Sequence, residues 1–129
     1  VTVFPDAQLA TLEIVRAALA DTAYGTLAPE DFPQGSAPTL PYAQVRTDST
    51  RVRHPITATA SMRVVVYAAS QAAAVALAWR LHAILREYGG GDKVRGFTDQ
   101  TGPVPARDPV TGDPICSFTV AASLRPVTT

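Results

Sequence analysis

The stretch 56-ITATASMRVVVYAASQAAAVALAWRLHAILREYGGG-91 changes its hydrophobic period once, at Ser70, and that change sets the fold. Before it, Ala58, Ala60, Met62, Val64 and Val66 fall on one side of an extended chain and Thr57, Thr59, Ser61 and Arg63 on the other. Strict alternation of this kind predicts a long strand with one buried and one wet face. Ser70 then suits a helix N-cap, and Leu77, Leu81, Ile84, Leu85 and Tyr88 recur at helical spacing. The glycines at 89–91 close that helix, because glycine takes up the left-handed conformation past the last turn without penalty. A phosphate-binding loop needs the opposite order, with the glycines before the helix and a Ser or Thr after the lysine. Here Lys93, the only lysine, runs into 94-VRGFT-98, which reads as the start of a strand.

Working outward, 40-LPYAQVRT-47 is strand-like with Pro41 at its start, and 48-DSTRVRHP-55 reads as an interruption before the long strand. Upstream, 6-DAQLATLEIVRAALAD-21 is a helix opened by Pro5 and Asp6, with Leu12, Val15 and Leu19 on one face and Gly25 marking its end. Residues 26–39, with three prolines and a glycine, read as a loop. Downstream come a short strand at 93–99, a Pro- and Gly-rich connection at 100–114, and a last strand at 115–127 whose Cys116, Phe118, Val120, Ala122 and Leu124 alternate with smaller polar residues. The order helix, strand, strand, helix, strand, strand predicts an α+β fold. Two helices pack on one face of a mostly antiparallel sheet of about four strands, with long Pro/Gly-rich loops and a Thr-, Ser- and Arg-rich face left open.

A chain of 129 residues is expected to form a single domain, 1–129, around one core. Eleven basic and eleven acidic residues cancel, which excludes a global pull toward nucleic acid or an anionic membrane. The single cysteine, Cys116, excludes an internal disulfide and reads as a small buried hydrophobe. No apolar run reaches about 18 residues and no leader pattern stands at the start, so neither a membrane span nor a signal peptide is expected, and the chain is expected to stay in the cytoplasm where it is made. Hydrophobic content of 47% against 17% charged is rich for a lone domain and suggests apolar surface meant for a partner.

The residues of reaction chemistry do not assemble into a pattern. His54 and His82 lack a Cys, His or carboxylate at metal-ligand spacing, and no serine sits in a G-x-S-x-G elbow. His82 reads either as a flank histidine or as a general base without a nucleophile. Asp108 and Asp113 stand among Pro and Gly, where such side chains bond their own backbone. No catalytic, cofactor-binding or metal residue is assigned, and the chain does not read as an enzyme. Arg46, Arg51, Arg53 and Arg63, with His54, are opposed only by Asp48, which is either a solvated hairpin tip or a contact site for DNA or an acidic protein face.

Helix two carries an anomaly. With Leu77, Leu81, Ile84, Leu85 and Tyr88 inward, Trp79 points nearly the opposite way, flanked by Val75 and His82; Ile14 is similarly off the apolar face of helix one. Burying roughly 200 Å² of tryptophan at about 25 cal/mol/Å² contributes around 5 kcal/mol, a large amount to leave in water. Either the 26–39 loop folds over Trp79, or Trp79 and Val75 centre a subunit interface.

The segments 4-FPDAQLATLEIVRAAL-19, 40-LPYAQVRTDS-49, 56-ITATASMRVVVYAASQAAAVALAWRLHAIL-85 and 118-FTVAASLRP-126 together resemble the tail terminator proteins of long-tailed, siphovirus-like bacteriophages. The most telling piece is 66-VYAAS-70, where the strand turns at once into an Ala-rich helix. The resemblance covers nearly the whole chain in order and texture, without a sharp motif. It implies a structural virion protein: a homohexameric ring that sits on the last ring of tail tube protein, ends tube polymerisation and presents a surface to the head-tail connector or a head-closure protein. DNA would pass through the lumen without sequence-specific binding, no cofactor or membrane is involved, and the place of action is the tail-neck junction after assembly in the host cytoplasm. On this reading Ile14, Val75, Trp79 and His82 belong to the subunit interface. Arg51, Arg53, His54 and Arg63 line the lumen or meet a partner, and the segments 26–39 and 97–113 are arms. The competing readings are another neck component, such as a head-closure or connector-completion protein, and a small α+β ligand-binding module or enzyme working from the open sheet face. A DNA-binding regulator is opposed by neutral charge and the lack of a recognition-helix pattern.

Overall fold

A computed structural model describes residues 1–19, 25–27 and 40–129. Two helices are capped by the residues that the sequence offers for it. Asp6 Oδ1 accepts from the Leu9 amide at 3.1 Å to open α1 (Ala7–Ala18), and Ser70 Oγ accepts from the Ala73 amide at 3.2 Å to open α2 (Gln71–Arg86). Each bond satisfies a donor that the first turn leaves without a helical partner. The strands are β1 (Thr2–Val3), β2 (Gly25–Leu27), β3 (Tyr42–Arg53), β4 (Thr57–Tyr67), β5 (Val94–Arg107), β6 (Pro114–Leu124) and β7 (Val127–Thr128). Five of them form one sheet in the order β2-β3-β4-β6-β5, antiparallel except for the β2/β3 pair, while β1 and β7 make a separate antiparallel ribbon. The fold is α+β, with two helices packed on a mostly antiparallel sheet.

Both helices cover the same sheet face, α1 over β3 and β4 and α2 over β4, β6 and β5. The alternating residues of β4 and β6 supply the floor: Met62, Val64, Val66, Cys116 and Val120 are fully buried, and Phe118 nearly so. Leu12 and Val15 of α1 and Leu77, Leu81 and Leu85 of α2 close over them in one core. Ile84 and Tyr88 are only partly buried, while Ala74 and Ala78 are fully buried. The inward stripe of α2 is therefore turned toward its alanines, which let the helix sit close to the sheet.

Two segments depart from the sequence expectation. Residues 48–53 do not interrupt the sheet: β3 runs on to Arg53, and only 54–56 turn the chain into β4. A one-residue bulge between Thr47 and Ser49 makes this possible, and past it the side chains of β3 are exposed, so this strand carries no apolar pattern there. Likewise the expected loop at 100–114 is strand as far as Arg107, so 97–113 is not a free arm. Pro103 and Pro105 are tolerated because β5 is an edge strand, and three register shifts absorb the irregular text. The true turn is 108–113, where Asp108 Oδ1 accepts from the amides of Val110 at 2.7 Å and Thr111 at 3.2 Å. Gly25–Leu27, expected as helix exit and loop, pairs in parallel with β3. The remainder of the 26–39 loop, and its suggested position over Trp79, lies outside the described residues.

Candidate functional site

Two surfaces gather the residues singled out from the sequence. The first is the flank of α2 that faces the β5 edge. Trp79 is 54% exposed, and His82 stands beside it with its ring edge-on at 5.6 Å between centroids. The opposite side of the His82 ring meets the core residue Phe118, also edge-on, at 5.4 Å. His82 Nε2 is 2.7 Å from Asp99 Oδ1, and the same oxygen accepts from Arg86 Nε at 3.1 Å. Arg86 also donates to the carbonyl of Phe97. Partial desolvation pulls the Asp99 carboxyl upward, but the hydrogen bonds and charges of His82 and Arg86 outweigh it and hold the group below the usual carboxylate range. The exposed indole therefore lies against a histidine that is itself hydrogen-bonded to Asp99.

Val75 lies on this flank and is partly buried against the core, so Val75, Trp79 and His82 are together. Ile14 is not with them. It sits on α1, across the helical layer, in a groove of about 550 Å³ whose floor is Ala10, Ile14, Ala17, Tyr88 and Val94. The rim is charged: Lys93 Nζ and Glu13 Oε2 are 3.6 Å apart, and Asp92 stands next to them. Neither Asp99 nor this groove was legible as a site. Asp99 shares a face with Phe97 on alternate β5 positions, so the signal that could have found it was already present in the expected strand 93–99.

The second surface is the open face of the sheet. Partners in an antiparallel register share a face. The pairs Arg46↔Arg63, Ser49↔Ser61, Arg51↔Thr59 and Arg53↔Thr57 therefore place four guanidinium groups and a row of hydroxyls on one side, continued by Ser117, Thr119 and Ser123 of β6. The bulge turns Asp48 onto the same side, where Oδ2 accepts from Arg63 Nε at 2.9 Å and Oδ1 lies 3.3 Å from Arg46 Nε. Arg46 and Arg63 thus share one carboxylate, which offsets one of the four positive charges, and Arg51 and Arg53 project from the hairpin end. Beside Arg51 a shallow cleft of about 460 Å³ is lined by Ser49, Thr50, Arg51, Thr59, Ser61 and Gln100. His54 is apart from Arg63: its Nε2 is 3.1 Å from the Thr2 carbonyl oxygen and its ring is edge-on to Phe4, so it ties the hairpin turn to β1.

At the other end of the open face Tyr42 and Tyr67 stack with centroids 4.6 Å apart and 11° between planes. Burial, with the neighbouring Tyr67, Asp113 and Asp108 adding to it, pushes the Tyr42 phenol up to about 12. Tyr67 is raised in the same way, first by burial and then by Asp108.

Chemically, the α2 flank presents an exposed indole beside a hydrogen-bonded imidazole, and the open face is a hydroxyl and guanidinium surface that offers spread attraction to phosphate. Among the described residues no three His, Cys, Asp or Glu side chains gather to hold a metal ion, and His82 and Asp99 have no serine, threonine or cysteine hydrogen-bonded to them. No family model matches this chain, and no curated protein sequence matches it significantly.

Proposed function

We propose that this chain is a structural, ring-forming virion protein: a homohexamer that caps the tail tube of a long-tailed bacteriophage, ends tube growth and offers the face to which the filled head attaches. The observation that carries the self-assembly is the exposed Trp79 on α2. An indole left in water costs apolar hydration that association removes, and Trp is the residue most enriched at the energetic centres of interfaces. The tube-capping role rests on the resemblance of the four sequence segments to tail terminators. The open face suits a lumen wall, since sparse arginines among hydroxyls, two of them sharing Asp48, attract a polyanion less tightly than a dense basic surface does.

The test is native mass and negative-stain imaging of the purified protein, alone and with tail tubes. Rings of about six copies that bind one tube end support the proposal. A chain that remains monomeric alone and leaves tube ends bare refutes it. Loss of the gene from its phage separates the neighbouring possibilities: overlong or headless tails follow loss of a terminator, and filled heads that leak follow loss of a head-closure protein.

A further inference from the structure

We infer that Trp79 of one copy docks into the groove beside Ile14 of the next, so that copies join head to tail. This rests on the ring-forming reading above and names the two surfaces that meet.

The outer side of α2 is apolar along a line. Ala72, Ala76, Trp79 and Ala83 are all exposed and are spaced by four, three and four residues, the seam spacing of a helix that packs against another helix. The groove offers such a partner, because its floor includes Ala10, Ile14 and Ala17 of α1, with Tyr88 and Val94 closing the far wall. At about 550 Å³ it has room for an indole. The small side chains on both helices let the backbones approach while the tryptophan fills the depression.

Charge complementarity selects a second copy as the occupant. Arg80 adjoins Trp79 and makes no ion pair among the described residues; Asp92 on the rim of the groove makes none either. Docking the knob into the groove brings these opposite charges to one rim, and the Glu13–Lys93 pair remains on the same border.

The positions of the two features exclude closure within one chain. Trp79 lies on the flank of α2 toward β5, against His82 and Asp99, whereas the groove lies on the flank toward α1. The body of α2 stands between them. A knob and a groove on different sides of one molecule make a heterologous contact, which repeats from copy to copy and closes into a ring when the rotation allows it. With 54% of it exposed, the tryptophan has roughly half of the 150–250 Å² of a whole aromatic side chain left to bury, against about 800 Å² per partner in a standard interface, so it acts as the anchor and the alanine seam supplies further area.

The experiment combines charge reversal with site-directed cross-linking. Arg80→Asp and Asp92→Arg are each expected to weaken self-association by at least about tenfold, and the double variant to recover most of it. Native mass reads the effect, with thermal unfolding of each variant to confirm that the fold is kept. For cross-linking, Ala83→Cys, on the exposed stripe beside Trp79, and Ala17→Cys are made separately; Cys116 is buried and does not compete. A short bis-maleimide should join one variant to the other in a mixture and neither to itself. Cross-linking of Ala83→Cys to itself would mean an isologous contact and would overturn the inference. Rings that persist unchanged through the charge reversals, with no mixed cross-link, overturn the docking while leaving the ring-forming reading intact. Mixed cross-links accompanied by open filaments instead of closed rings uphold the docking and sink the ring. A chain that is monomeric at every concentration and gives no cross-link, with or without tubes, sinks both.

Discussion

His82 Nε2 lies 2.7 Å from Asp99 Oδ1, and this contact fastens α2 to the edge strand β5. Asp99 accepts from Arg86 as well, and together these partners depress its pKa despite an opposing desolvation. A carboxylate whose pKa is lower in the folded state contributes stability above its unfolded value, near 3.9, and the contribution is lost as pH falls through the folded value. Urea midpoints measured from about pH 5 to pH 2 should therefore decline in the native protein, and Asp99→Asn should show a shallower decline. Superimposable slopes in the two proteins would mean that the contact carries no linkage.

The stacked pair of Tyr42 and Tyr67 gives the opposite limb. Tyr42 is 1% exposed, and burial together with its neighbours pushes its phenol from 10 to about 12. The unfolded chain ionises first as pH rises, so the stability that favours the neutral phenol is complete below pH 10 and disappears on the way to 12. A shift of this size corresponds to something on the order of 2 kcal/mol. Tyrosinate absorbance should show delayed ionisation that collapses with unfolding. Tyr42→Phe should reduce the loss of stability across the same interval, and an ordinary titration of all tyrosines near 10 would contradict the burial argument.

The glycine triplet can be resolved residue by residue. Gly90 has φ of 96°, and a Cβ added there would lie 2.8 Å from the Arg95 carbonyl oxygen; Gly89 has no atom within 4 Å of such a Cβ. Gly90→Ala should therefore cost roughly 2 kcal/mol or more, from a left-handed backbone and a backbone clash together, while Gly89→Ala stays within about 0.5 kcal/mol of the native protein. Chemical denaturation of the two variants decides it. Equal losses would show that the turn readjusts.

What was legible in the sequence follows from which physical signal each element carries. The strand at 57–67 and the helix at 71–86 announce themselves because each buries one face, and burial writes a period into the text. The extension of β3 through 48–53 and of β5 through 100–107 leaves no such period, since nearly all of their side chains are exposed and the ladder is held by backbone bonds, which leave no hydrophobic pattern in the text. Prolines in β5 add a false loop signal that only its edge position removes. The site shows the same division. Trp79, Val75 and His82 were found together because helix geometry is local, whereas the distance between Ile14 and that flank, the tie of His54 to Thr2, and the Asp99 partner of His82 depend on how distant segments meet.

Trp79 and Leu81 are two residues apart on α2 and should behave in contrary ways. Leu81 is fully buried, so Leu81→Ala removes transfer energy and leaves a cavity, at about 2–5 kcal/mol. Trp79 meets the His82 ring edge-on, and with 54% of its surface in water Trp79→Ala should change the unfolding energy of the isolated protein by about 2 kcal/mol at most. Self-association reverses the ranking. Loss of an interface-centre tryptophan should raise the dissociation constant by thirtyfold or more, corresponding to about 2 kcal/mol. Leu81→Ala assayed well below its melting temperature should associate nearly as the native protein does. Sedimentation and thermal melts on the same two variants give both numbers. A large stability loss in Trp79→Ala with unaltered association would place the tryptophan in the core of its own subunit, covered from within the chain, and would end the case for a self-assembling α2 flank.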